Sequence, residues 1–175
     1  MKSKVNLVIL LISVLFVVFG CSKSDESVET EIYNGKSLLI GIIGEVPKIR
    51  EDNIKFTNID FNDLQNVDNF SNIDAVFITK ENLKEAEKPK YASIYNSSHI
   101  PFLFIETPKS YVPYVHDNID FEDYPDDESG MYAYLYDSDS ERHWGYGLYN
   151  DKVNEQNIQD VYSRVFKTIE EISNN

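Results

Sequence analysis

Four short apolar runs set the terms for this chain. Ser37-Leu-Leu-Ile-Gly-Ile-Ile-Gly44 is continuous, lacks the alternation of a half-solvated strand, and is closed by glycine. Such a run reads as a strand buried on both faces, the arrangement of parallel sheets. Residues 53–58, with Ile54 and Phe56 on one side, and residues 73–79 and 100–105 give three more strands. Asp60–Leu64 suggests one helical turn. Thr79 caps a helical stretch whose start is favoured by Glu81, Glu85 and Glu87 through the helix dipole. Leu83, Ala86, Tyr91, Ile94 and Tyr95 form its apolar face. Pro89 interrupts it, so residues 80–97 are expected as one kinked helix or two short ones. Strand, helix and strand in this order favour a parallel pair with a right-handed crossover.

The second half reads differently. Thr107, Pro108, Pro113 and Pro125 punctuate a long loop over residues 107–130. Residues 131–137 and 142–149 then alternate, and closing a hairpin at Ser138–Glu141 places Asp137 opposite Arg142. In that register Leu135 faces Trp144, Ala133 faces Tyr146 and Met131 faces Leu148. Tyr134 covers Gly145 and Tyr132 covers Gly147, since aromatic rings stabilise strand glycines. Residues 154–173 carry Ile158, Val161, Tyr162, Val165, Ile169 and Ile172 at helical spacing, with Gln159, Asp160, Arg164, Lys167 and Glu171 opposite. The expected fold is an α/β (or α+β) domain. A mainly parallel four-strand sheet (about 37–44, 53–58, 73–79, 100–105) is joined by an antiparallel hairpin, with helices at about 80–97 and 154–173.

Charge narrows the partners. Lys and Arg number 16 against 30 Asp and Glu, a net charge of −14 over 175 residues. A phosphate backbone demands the opposite balance, so nucleic acid is not expected as a partner. With 42% apolar residues the chain has a core to build. A single cysteine excludes a disulfide framework and a four-cysteine metal site.

That cysteine has a telling place. Lys2 and Lys4 precede an apolar run from Leu7 to Phe19, Gly20-Cys21 follows, and the chain then turns polar. Positive head, apolar core and small residue make an export signal. The run is short for a spanning helix, which takes about 20 residues. Val18-Phe19-Gly20-Cys21 resembles the lipobox of bacterial membrane lipoproteins, although Phe19 stands where that family prefers a small residue. The resemblance implies removal of residues 1–20, a diacylglyceryl thioether on Cys21, and an acylated mature terminus on the extracytoplasmic face of the cell membrane. Two acyl chains hold a protein on a bilayer stably. The remainder is similar to small lipoproteins of Gram-positive bacilli, a resemblance that brings no activity with it. Residues 21–36 read as a lipidated tether and 37–175 as a single domain.

Catalytic patterns are sparse. His99, His116 and His143 have no zinc-ligand spacing, and no Gly-x-Ser-x-Gly elbow occurs. Gly41-Ile-Ile-Gly44 lacks the third glycine and the Lys-Ser/Thr pair of a phosphate loop and reads as a backbone turn. Lipidation of Cys21 removes thiol redox chemistry. Residues 117–128 gather seven acids. Asp117, Asp120, Asp123, Asp126 and Asp127 offer oxygen ligands to calcium, against the plainer reading of a solvated acidic loop. Tyr132, Tyr134, Trp144 and Tyr146 offer a ligand-binding face of rings with polar tips, against ordinary sheet packing. The expected function is a non-enzymatic binding or interaction module for an envelope protein or cell-wall component, with no cofactor. The alternative is a metal-assisted extracytoplasmic hydrolase or calcium-binding protein using the acidic loop.

Overall fold

The computed structural model describes residues 28, 30–70 and 72–174. The export signal and Cys21 lie outside the described residues. Among the described residues, no helix is long and apolar enough to cross a membrane.

The centre is a six-stranded sheet of order β2-β1-β3-β4-β5-β6. Its strands are β1 (Leu38–Ile43), β2 (Ile54–Asn58), β3 (Ala75–Ile78), β4 (Phe102–Ile105), β5 (Met131–Asp137) and β6 (Arg142–Gly147). β1 to β4 run parallel, and β5 and β6 add an antiparallel pair beside β4. This is the α/β class expected. β3 and β4 are buried throughout and β1 is buried except at Leu39, which explains their unbroken apolar sequence. The edge strand β2 is the one that alternates.

Among the described residues four α-helices cover the sheet: α1 (Leu83–Ala86), α2 (Ala92–Ser97), α3 (Val112–Val115) and α4 (Glu155–Ser173). The stretch 80–97 resolves into two short helices. Each is entered through a 3-10 turn, and Pro89 starts the second of these turns. Thr79 occupies the N-cap position, but its hydroxyl donates to Glu81 Oε1 at 2.6 Å instead of capping the backbone. The turn expected at 60–64 is a longer 3-10 segment, Asp63–Phe70.

Strand alternation divides the core into two layers. Ile40, Ile42, Phe77, Leu103 and Leu135 pack against Val161, Val165, Phe166 and Ile169 of α4. Ile43, Val76, Ile78, Phe102 and Phe104 meet Leu83, Tyr95 and Tyr114 on the opposite face. That second layer absorbs several of the tyrosines: Tyr114 stacks on Phe104 at 4.1 Å and Tyr95 meets Phe102 edge-on at 4.9 Å. α4 departs from a simple amphipathic reading. Asp160 is buried and accepts from Arg164 at 2.9 Å, while Arg164 donates to Gly147 O at 2.8 Å and lies over Tyr146. Helix positions that look solvated therefore clamp the end of β6.

The hairpin keeps the expected register from Asp137↔Arg142 to Ala133↔Tyr146 and then departs from it. A bulge between Met131 and Ala133 pairs Met131 with Gly147, so the expected Met131–Leu148 and Tyr132–Gly147 pairs do not form. A Cβ on Gly145 would lie 3.1 Å from the Tyr134 ring, as expected of a covered strand glycine, but Met131 covers Gly147.

The tether expected over 21–36 is partly folded onto the domain. Val28 N donates to Asn157 Oδ1 and Gln156 Nε2 donates to Val28 O, at 3.1 and 2.9 Å. Arg50 holds Thr30, Tyr33 is 8% exposed and packs on Phe166, and Lys36 N donates to Glu170 Oε1. The described residues of this segment thus run parallel to α4, from its first turn to its last, before the chain enters β1.

Candidate functional site

Sheet order reverses between β1 and β3: the chain leaves β1 toward β2 and leaves β3 toward β4. Loops that diverge from neighbouring strands leave a crevice at the carboxyl ends, the usual ligand position in open α/β sheets. A crevice of about 540 Å³ lies there. Its walls are Glu45–Lys48 after β1, Thr79–Glu81 after β3, Ile105 and Glu106 at the end of β4, Tyr132 of β5, and Val153–Glu155, Ile158 and Tyr162 at the start of α4.

Two backbone irregularities meet in it. Glu106 has φ 54°, a left-handed conformation that costs a non-glycine residue about 1–3 kcal/mol. Its N–H donates to Tyr132 O at 2.7 Å, at the bulge of β5. Bulges re-aim side chains, and this one turns Tyr132 away from the Tyr134 face and toward α4, where its ring packs against the first core layer. Glu106 and Tyr132 thereby come together: the Tyr132 hydroxyl donates to Glu106 Oε1 at 3.5 Å, and Lys80 Nζ lies 3.2 Å from Glu106 Oε2. Tyr162 of α4 lines the crevice with Tyr132. Burial, then the Glu106 charge, pushes the Tyr132 phenol up to about 12, and burial raises Tyr162 further. Both phenols are therefore protonated donors at neutral pH.

Gly44 shapes the opposite wall. Its φ is +125°, and a Cβ there would sit 1.9 Å from Thr79 Oγ1, so only glycine lets the end of β1 approach the end of β3. Thr79, hydrogen-bonded to Glu81, holds that carboxyl below its ordinary range. Lys48 pairs with Glu155 at 3.1 Å across the mouth. Four glutamates (Glu45, Glu81, Glu106, Glu155) and two lysines (Lys48, Lys80) line the crevice, over an apolar floor of Ile105 and Ile158. Hydroxyl donors beside a carboxylate, in acidic surroundings, suit a polyhydroxylated or cationic group.

The other residues singled out in the sequence are scattered. Of Tyr132, Tyr134, Trp144 and Tyr146, only Tyr132 lines the crevice. Tyr146 is buried under α4 and Trp144 packs on the same layer, beneath the Arg142 guanidinium at 4.9 Å. Tyr134 sits on the opposite face, donating to Asp127 Oδ2 at 2.6 Å. The four rings do not share one face.

The acidic loop is organised by a lysine. Lys109, 7% exposed, extends its ammonium to Glu122 O and Tyr124 O, lies 3.6 Å from Asp126, and covers the Phe121 ring. Asp127 accepts from Ser129 and Tyr134, and Asp120 accepts from Glu122 N. Asp117 and Asp123 are exposed. No cluster of three or more His, Cys, Asp or Glu among the described residues is placed to hold a metal. His99 pairs with Asp139 at 2.9 Å and His143 stacks on Tyr111, both away from the crevice.

A larger hollow of about 1110 Å³ opens at the amino ends of the strands, between Phe70, Ile73, Pro101, Asp137 and Ile172. Glu141, at φ 52° in the hairpin turn, lies between two of the residues that line it.

Sequence reasoning missed Glu106, Lys80, Thr79 and Tyr162 as site residues. A charged residue directly after an apolar strand, as Glu106 follows β4, was the signal available. Comparison with protein-family models, curated proteins and solved structures found no match.

Proposed function

We propose that this chain is a bacterial surface lipoprotein, anchored through Cys21 on the extracytoplasmic face, whose domain binds a small polar envelope component in the carboxyl-end crevice. The lipobox residues Val18–Cys21 support the anchor. The observation that carries the binding reading is the convergence of the strained Glu106 with the bulged Tyr132. Strain of this kind persists only where the surroundings impose it, and it concentrates at functional sites. The ligand class is a polyhydroxylated or amine-bearing cell-wall fragment, taken up by Glu106 as acceptor and by Tyr132 and Lys80 as donors.

The test is a thermal-shift and calorimetric titration of the protein with soluble cell-wall oligosaccharides and amine-bearing wall peptides. Binding should weaken about tenfold, roughly 1.4 kcal/mol, in Glu106→Gln and in Tyr132→Phe, with their unliganded melting temperatures preserved. Undiminished binding by both variants would remove the crevice from consideration. Cys21→Ala should release the protein or leave it unprocessed, and membrane retention with unchanged mobility would defeat the anchor.

A further inference from the structure

The described chain is first fixed, at Val28, at the crevice end of the molecule. Val28 is fixed to Gln156 and Asn157 in the first turn of α4, the turn whose Glu155 lines the crevice. Six residues separate Val28 from Cys21, and a chain of that length spans at most about 25 Å. The large apolar side chains left exposed among the described residues gather here too. Val46, Tyr149 and Val153, at 53%, 39% and 76% exposure, surround the start of α4, and Ile32, at 48%, borders a shallow hollow beside Glu155 and Gln156. Charge around them is mixed. Lys48 and Lys152 stand at this corner beside Glu45, Asp151 and Glu155, and the denser run of seven acids is tied to the second core layer through Phe121 and to α1 through Lys84–Glu122.

We propose that the corner formed by Val46, Tyr149 and Val153 rests on the outer leaflet of the bilayer, with the crevice mouth turned toward the lipid surface. The proposal rests on the lipidation of Cys21 given above. Apolar side chains enter the headgroup boundary, which favours this orientation. The ligand of the crevice is then a group presented at the membrane surface.

The experiment uses the full-length processed protein in phosphatidylglycerol-containing vesicles. An environment-sensitive fluorophore is placed at Val153→Cys or, at the opposite end, at Asp139→Cys, and quenched by lipids spin-labelled in the headgroup region. The Val153 label should be quenched several-fold more than the Asp139 label and should shift to the blue. Equal quenching, or stronger quenching at Asp139, in protein that floats with the vesicles overturns the orientation while leaving the anchor intact. Protein that fails to float and shows a second reactive thiol at Cys21 overturns the anchor, and the orientation falls with it.

Discussion

Glu106 places opposing demands on one residue. Its left-handed backbone disfavours any side chain, yet its carboxylate receives both Lys80 and Tyr132. Replacing it by glycine relieves the strain and costs some unfolded-state entropy, so Glu106→Gly should raise unfolding stability by about 0.5–1 kcal/mol. The same change should abolish crevice binding. A chemical-denaturation midpoint that falls instead would mean the ion pair outweighs the backbone cost. Phe166 presents the opposite case, a residue whose role is packing alone. It is fully buried between Tyr33, Phe77 and Tyr162, and Phe166→Ala should cost about 3–5 kcal/mol, measured by urea denaturation.

At the scale of elements, strands were legible wherever burial on two faces wrote an unbroken apolar run, and α4 was legible from its period. The hairpin shows where that reading stops. Leu135–Trp144 and Tyr134–Gly145 follow from alternation, but the bulge that turns Tyr132 is imposed by pairing with the end of β4, which no local pattern records. The site was correspondingly hard to see, because its residues come from β4, β5, α4 and two loops. Asp160 and Arg164 look like solvent-facing charges until β6 supplies Gly147 O. The acidic loop shows the same limit: its carboxylates are conspicuous in sequence, whereas the Lys109 that gathers its backbone carbonyls is not. Lys109→Met should therefore speed amide exchange at Tyr124 and Asp127 and leave the sheet unaffected, as read by hydrogen exchange. The melting temperature of the unaltered protein should not move with millimolar calcium or with chelator, because the ammonium already lies among those carbonyls; a rise with calcium would favour the cation reading instead.

The whole molecule carries its charge unevenly, and its pH dependence follows. Hydrogen bonds and charge from Lys88, with Tyr91 and Lys90, bring Glu85 down to about 2, and partners likewise lower Glu81 and Glu122. For Asp127, burial opposes ionisation, but bonds from Tyr134 and Ser129 prevail and the carboxyl is lowered. A depressed carboxyl stabilises the fold above its unfolded value, and that contribution is lost as pH falls. Stability should thus decline from about pH 4.5 downward. Tyrosines set the alkaline limit. Burial pushes Tyr132 and Tyr146 up to about 12, so their contribution is complete below about pH 10 and is lost as pH climbs toward 12. Melting temperatures recorded across pH should form a plateau between these limits, and a curve still rising at pH 11 would contradict the tyrosine assignment.

The strap from Val28 to Lys36 has a practical consequence for anyone preparing a soluble form. A version trimmed to Ser37 would shed Tyr33, leaving Phe166 uncovered, Arg50 without Thr30 and Glu51 without the Tyr33 amide it accepts. Greasy surface bared in this way invites aggregation, so the cut belongs upstream of Val28.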